Sequence, residues 1–397
     1  MIDILFILDE LHPVRNAPSV RIENLRAALP PARTLALGGT ANGEEPSPEG
    51  YATIRRPSEH SPLLFFLFLL KLGFRAIKTA SRIRPPIIVL SVPKYELLLF
   101  APALARRCSH LIIDIRDSLG FLDYRAYLAH FMPSWLANPL GYLIKLLVTR
   151  IQLRALRAAS VVTVANRGIA GTINHPNVQL LPNGVDTDTF VSSTRPQRIP
   201  SEPIKLVYLG NFAEKDRFDL ILDRAVGKGP TIEVHLIGDG RNRKKIVDQL
   251  TAASIPFTYH GLVAHHQLPA LLSTMDFGFI FRATGVDESI PVALFEFAAC
   301  GIPSACNDTG MMASFVREHR LGFVCSTPNE LHDALTRWAA DDTKRQKSQE
   351  LRTTAVREFS LSATRSAFQK LINSLLAPPT VPSTGTVGRR DNDMREA

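Results

Sequence analysis

Short apolar runs alternate with longer spans of helical character along most of the chain. Ile2–Leu8, Thr34–Leu37, Ile87–Val92, Leu111–Ile115, Ser160–Val164 and Val178–Leu181 read as strands, with helix-like stretches such as Pro18–Leu29 between them. Ser192–Pro203 (SSTRPQRIPSEP) is polar with three prolines and reads as a linker. A second alternation then begins afresh, with strands at Ile204–Leu209, Glu233–Ile237, Phe257–His260, Phe277–Phe281, Ser304–Cys306 and Gly322–Val324. Alternating strands and helices predict parallel sheets with covering helices. The expected fold is α/β, two Rossmann-like doubly wound domains at 1–195 and 204–360 facing a cleft. Ligands in such folds sit at the carboxyl ends of the strands. Residues 361–376 read as one more helix. Residues 377–397 lack apolar periodicity and read as a disordered tail.

The length of 397 residues agrees with two domains at about 150 residues each. Apolar residues at 45% and charged residues at 21% exclude collagen-like and wholly disordered chains. Cys108, Cys300, Cys306 and Cys325 are scattered, which argues against a zinc ribbon or disulfide scaffold and fits buried small hydrophobes in a reducing compartment. The opening MIDILFILDE carries Asp3, Asp9 and Glu10 and reads as a buried strand rather than a leader. The longest pure apolar run, Pro62–Leu70, stops at Lys71, whereas a spanning helix needs about 20 residues.

The net charge of +9 is unevenly placed. No acid occurs from His60 to Tyr95 or from Tyr124 to Val185, and both stretches are greasy: PLLFFLFLLKLGF and YLAHFMPSWLANPLGYLIKLLV. Basic residues among Phe, Trp, Tyr and Leu suit helices lying on an anionic membrane surface. Core helices with solvated basic flanks are the alternative. Nucleic acid does not require so many aliphatic neighbours, so it is not an expected partner.

The strongest chemical signal is Asp287–Pro303, DESIPVALFEFAACGIP, after the strand FGFIF. Pro291 suits a first helical turn, and Gly301 ends the helix before Pro303. Free amides from Ile290 through Val292 and Ala293, with the helix dipole, make a diphosphate site. Glu288 precedes that helix start, and Glu296 lies about 7–8 Å beyond Pro291 along the axis. Carboxylates accept hydrogen bonds from hydroxyls, so diols flanking a diphosphate, as in a sugar nucleotide, fit the pattern. A plain amphipathic helix with one glutamate complementing its dipole is the other reading.

The spacing of Glu288 and Glu296, followed by FEFAACGIP, resembles the retaining family 4 glycosyltransferases of the GT-B fold, in particular the bacterial branch acting on lipid-linked saccharides. The resemblance runs from about Ile2 to Leu375. Further landmarks in order are NAPSVR (Asn16–Arg21), DIRDSLG (Asp114–Gly120), PNGVDTDTF (Pro182–Phe190), YLGNFAEK (Tyr208–Lys215) and LIGDG (Leu236–Gly240). It implies that Glu296 holds the nucleotide ribose and Glu288 the donor sugar hydroxyls. Amides near Pro291 would grip the diphosphate and Lys215 neutralise it, with Gly210, Asn211 and Gly238 also on the donor side. It also implies that the helix at 361–376 returns to the first domain, that no metal or cofactor beyond the nucleotide sugar is used, and that the anomer is retained. The expected partners are a nucleotide sugar, a saccharide or polyprenyl-linked acceptor and an anionic membrane at the cytoplasmic face.

Three positions depart from the pattern. The arginine usual after the first glycine of the second domain is Asn211, with Arg217 or Arg282 as substitutes. The glycine pair after strand one is replaced by Asn16, Ala17 and Pro18. The branch's lysine before FEY is Ala293. On the acceptor side, Arg116 and Asp117 follow the strand LIIDI. Asp117 reads equally as a group orienting or deprotonating an acceptor hydroxyl or as a helix cap. Asp114, inside the strand, reads as structural. Arg21 reads as a ligand for an acceptor phosphate or as a surface helix residue. LIGDG lacks the full dinucleotide fingerprint, and its glycines read as a tight turn. His265 and His266 read as a solvated helix start. A nucleotide-sugar 2-epimerase and a catalytically degenerate scaffold share this architecture and stand as alternatives.

Overall fold

The computed structural model describes residues 2–11, 17–40, 50–57, 62–92, 95–116, 132–191, 202–213, 215–222, 230–283, 290–308 and 310–377. Asn16, Asp117, Glu288, most of the expected linker and the expected tail from 378 lie outside them.

The first sheet is parallel and seven-stranded: β1 (Ile4–Ile7), β2 (Thr34–Thr40), β3 (Tyr51–Arg55), β4 (Ile87–Val92), β5 (His110–Ile115), β6 (Val161–Val164) and β7 (Val178–Leu180), in the order β3-β2-β1-β4-β5-β6-β7. β3 was not anticipated, because YATIR is short, mostly half-buried and at a sheet edge, where apolar alternation is weak. Its helices are α1 (Ala17–Arg26), α2 (Pro62–Ile83), α3 (Ala101–Ala105), α4 (Ser134–Ala158) and α5 (Arg167–Thr172).

The second sheet repeats the plan with β8 (Ile204–Leu209), β9 (Ile232–Ile237), β10 (Phe257–Gly261), β11 (Phe277–Ile280), β12 (Ser304–Cys306) and β13 (Gly322–Val324), ordered β10-β9-β8-β11-β12-β13. Its helices are α6 (Asp219–Leu222), α7 (Arg243–Ala252), α8 (Leu268–Leu272), α9 (Val292–Ala299), α10 (Gly310–Glu318), α11 (Pro328–Ala340) and α12 (Lys344–Phe359). In each sheet the strand order reverses beside the first strand, between β1 and β4 and between β8 and β11. The crevice at such a reversal is where doubly wound sheets bind ligands.

The chain crosses between domains twice, side by side. Val185 N–H donates to Phe359 O (2.8 Å), and Leu361 N–H donates to Val185 O (2.9 Å). Ser360 then caps α13 (Leu361–Leu376), its hydroxyl accepting from Ala363 N–H. Phe368 and Ile372 of α13 are buried with Ile4, Phe6, Ile22 and Leu25 of the first domain. The Phe6 and Phe368 rings lie 6.1 Å apart.

α2 is amphipathic in an unusual sense. Phe65, Phe68, Leu69, Leu72, Ala76 and Ala80 recur at helical spacing and are buried against the first sheet. The opposite face exposes Leu64, Phe66, Leu67 and Phe74 among Lys71, Arg75 and Lys78. α4 buries few of its side chains and exposes Trp135 (75%), Tyr142, Leu143, Leu146 and Leu147 beside Lys145, Arg150 and Arg154. Core packing therefore does not account for these apolar faces. No described helix is long and apolar enough to cross a membrane.

Candidate functional site

The candidate site lies at the strand-order reversal of the second sheet. The ends of β8, β9 and β10 form its floor. Gly210 N–H donates to Ile237 O (3.1 Å), and Gly238 N–H donates to Gly261 O (2.8 Å). Gly238 has φ +120°, and a Cβ there would stand 1.9 Å from Gly210 O. A Cβ on Gly240 would stand 2.0 Å from Asn211 O. These two turns meet backbone to backbone, which only glycine permits. The tight-turn reading of LIGDG agrees with this geometry.

The loop carrying Lys215 is stitched to the end of β11. Ala283 N–H donates to Lys215 O (2.8 Å), and Arg217 N–H donates to Phe281 O (2.9 Å). Between them, Asp216 accepts from Tyr208 Oη (2.7 Å) and Ala213 N–H (2.7 Å), with Arg282 Nε 3.8 Å away. Burial, then the Asp216 charge, pushes the Tyr208 phenol far above its ordinary range, so this hydroxyl is a fixed donor. Asn307 holds the Arg282 backbone from both sides, accepting from its N–H and donating to its carbonyl. Of the two candidate substitutes for the missing arginine, Arg282 faces Asp216, while the Arg217 guanidinium pairs with Asp219 on the surface. Asn211 is exposed at the mouth of the loop.

α9 follows β11. Pro291 is its extended N-cap rather than its first helical residue, and Leu294 N–H closes onto Pro291 O (3.1 Å). The amides of Val292 and Ala293 precede that first bond, at the positive end of the helix dipole. Ile290 is buried just before them. Every side chain of α9 from Ala293 to Ala299 is buried, and all but one are apolar. The exception is Glu296. A carboxylate in such a face is costly unless it is paired. Its partner is His265, with Nε2 3.3 Å from Oε1. The doublet HH had suggested a solvated helix start; His265 does open a short helical turn, but its imidazole reaches a buried acid. No periodicity marks that contact, because it joins a short helical turn to a helix some thirty residues on.

On the first domain, Arg21 is neither a surface residue nor open to a ligand. Its Nε and Nη2 donate to the fully buried Asp114, Nη2 also to Leu181 O (2.8 Å), and Nη1 to Asn183 Oδ1 (3.0 Å). Thr163 Oγ1 (2.7 Å) and Ser91 Oγ (3.3 Å) complete the carboxylate shell. The expectation of an acceptor-phosphate ligand at Arg21 is thus replaced by a clamp between β5 and the start of the interdomain segment. Burial raises the Asp114 pKa, but the Arg21 charge and these donors, with Arg116 nearby, outweigh it and leave it below its ordinary value. Arg116 is itself buried at the end of β5. Ala17 begins α1. A cavity of about 350 Å³ opens between the domains beside α9, lined by Asn166, Leu180, Ile290, Phe295, Met311 and Phe359 among others.

Two doubly wound domains, joined by a double crossing and facing each other across a cleft, define a GT-B-like α/β protein. Residues 192–354 match the family described as "Glycosyl transferases group 1". A 129-residue stretch is 27% identical to the putative colanic acid biosynthesis glycosyltransferase WcaL of Escherichia coli K12, covering 30% of this chain and 31% of that protein. The match therefore spans about a third of the curated relative's length. Among solved structures, sucrose-phosphate synthase from Thermosynechococcus elongatus superposes with a TM-score of 0.72 at 16% identity, over 94% of this chain and 99% of that one. Anabaena Alr3699/HepE, solved in complex with UDP, gives 0.67 at 14% identity over 94% and 100%. WaaG, described as a glycosyltransferase involved in lipopolysaccharide biosynthesis, gives 0.65 at 13% over 94% and 100%. At these identities the structural likeness is one of fold.

Proposed function

We propose that this protein transfers a glycosyl group from a nucleoside diphosphate sugar to a saccharide or polyprenyl-linked acceptor at the cytoplasmic face of an anionic membrane. The observation that carries the reading is Glu296, a buried carboxylate five residues beyond the N-cap of α9, the helix that follows β11 at the strand-order reversal. The match of the second domain to glycosyl transferases group 1 and the UDP and UDP-glucose in the HepE structures support a nucleotide sugar as donor.

In this reading the two ribose hydroxyls donate to Glu296. The amides of Val292 and Ala293 and the Lys215 ammonium face the diphosphate. The bond from the anomeric carbon to the phosphate oxygen breaks, and the electron pair leaves with the nucleoside diphosphate. The acceptor oxygen bonds to that carbon on the face the diphosphate left, and its proton passes to Asp117 or the departing phosphate. Amides and a cation preorganised around the leaving group stabilise the charge that develops there, so the mechanism uses no metal. Glu288 holds donor sugar hydroxyls. The apolar and basic outer faces of α2 and α4 support a peripheral membrane site, because burying aliphatic and aromatic side chains among headgroups complements the attraction of Lys and Arg to anionic lipid. The match to WcaL, named for colanic acid biosynthesis, supports a polysaccharide as the product.

The test is nucleotide release from UDP-, GDP- and ADP-sugars, with and without membrane extract. Acceptor-dependent release of one nucleotide, lost in Glu288→Ala and Glu296→Gln, supports the transferase. A folded protein that binds none of the nucleotides by calorimetry refutes it in favour of a degenerate scaffold.

A further inference from the structure

His265 lies outside every role assigned above, yet its Nε2 lies 3.3 Å from Glu296 Oε1. Its side chain is 60% exposed, while that of Glu296 is 8% exposed, so a solvent-accessible imidazole caps a buried acid. A carboxylate only accepts, so the hydrogen at this contact belongs to Nε2. The ring does not hang free. Phe190, fully buried, meets it edge-on with centroids 5.0 Å apart. Phe190 is held in turn by Arg352 of α12, which donates to Phe190 O and also to Ala299 O (2.8 Å) and Thr187 O (2.6 Å). The interdomain segment, a backing ring, the imidazole and the carboxylate thus form one packed series.

We propose that His265 is a positioning residue for Glu296: its Nε2–H occupies one carboxylate lone pair and fixes the plane that the two ribose hydroxyls of the nucleotide read. The inference rests on the donor-site reading above and adds that ribose recognition depends on a group backed by the interdomain segment. An ionised carboxylate has about four lone-pair sites, so one held by His265 leaves enough for a vicinal diol. The charged groups acting on the imidazole are Glu296 on α9 and Asp186 on the interdomain segment, both acidic, with the Arg352 guanidinium behind Phe190. The hydrogen bond to Glu296 lifts the imidazole pKa above its ordinary value, and the Asp186 charge adds to the lift.

The experiment compares the Kd of UDP, GDP and ADP with those of their 2′-deoxy counterparts, for wild type, Glu296→Gln, His265→Ala and His265→Gln. Thermal midpoints confirm that each variant is folded. The expected wild-type result is about a tenfold or greater preference for the ribonucleotide, lost in Glu296→Gln, the loss of a charged hydrogen bond being worth about 1.5–3 kcal/mol. His265→Ala should lower the preference several-fold without changing the deoxynucleotide Kd, and His265→Gln, which keeps a donor, should restore most of it. Full ribose preference in His265→Ala, with the preference lost in Glu296→Gln, overturns the positioning role and leaves the donor site intact. No nucleotide binding, or an unchanged preference in Glu296→Gln, overturns both.

Discussion

Arg21 Nη2 on α1 lies 2.8 Å from Asp114 Oδ1 on β5, joining positions 93 residues apart in a buried ion pair. The same guanidinium reaches Leu181 O and Asn183 Oδ1. One residue therefore ties the first sheet to the segment that leads to the second domain.

Removing one partner of that pair should be strongly destabilising. Asp114→Asn leaves Arg21 buried without its counter-charge, and the expected loss is about 3–5 kcal/mol in urea unfolding at neutral pH. The folded carboxyl has a depressed pKa, so its contribution is present above the unfolded value near 3.9 and is lost as pH falls through the folded value. Wild type should accordingly lose more stability than Asp114→Asn on acidification below about pH 4. Equal acid sensitivity of the two proteins would show that the pair does not govern this behaviour.

Gly238→Ala and Gly210→Ala should differ although the residues touch. At 238 the added Cβ meets a carbonyl oxygen at 1.9 Å on a backbone with φ +120°. At 210 the nearest atom is the Tyr208 hydroxyl at 2.6 Å, a side-chain rather than a backbone atom, and the backbone there is not in the left-handed region. Gly238→Ala is expected to cost about 2 kcal/mol or more and to weaken nucleotide binding; Gly210→Ala should be milder. Matched thermal melts and calorimetry check the order.

The chain has two tryptophans, Trp135 exposed on α4 and Trp338 buried in the second domain. A change of emission on adding vesicles therefore reports Trp135. We expect a blue shift with anionic vesicles at low salt, reversed by about 0.5 M salt, where the Debye length is only a few ångströms. Replacing Lys71 and Lys78 by Glu should reduce it. Emission that ignores anionic vesicles at low salt would remove α4 from the membrane surface.

The cysteines should be sluggish nucleophiles. Burial pushes the Cys306 and Cys325 thiols up to about 12 and Cys108 to about 11, and Cys300 is buried. Titration with a thiol reagent near neutral pH should be much slower for the native than for the urea-unfolded protein.

Arg352→Ala should loosen the interdomain segment, because three carbonyl oxygens lose a charged donor. The expected cost is about 2–3 kcal/mol, partly recovered in Arg352→Lys. A denaturant midpoint unchanged by the alanine would assign those carbonyls to water.

The alternation of apolar runs and helical spans determined two doubly wound domains, and nearly every strand lies where that alternation puts it. β3 escaped because an edge strand buries too little to leave a pattern. The motif DESIPVALFEFAACGIP placed a helix start and Glu296 together, since both are set by spacing along one element. The His265 contact to Glu296 and the fate of Arg21 could not be read that way. Each depends on which loops and strands the tertiary fold brings together, and a charge in a helical sequence looks the same whether it faces water or a buried partner. Sequence by itself determined what is periodic: the strands, the amphipathic face of α2, and the acid-free greasy stretches. Only the tertiary structure decided which polar groups are desolvated and therefore must pair, because burial belongs to packing between distant segments rather than to local order.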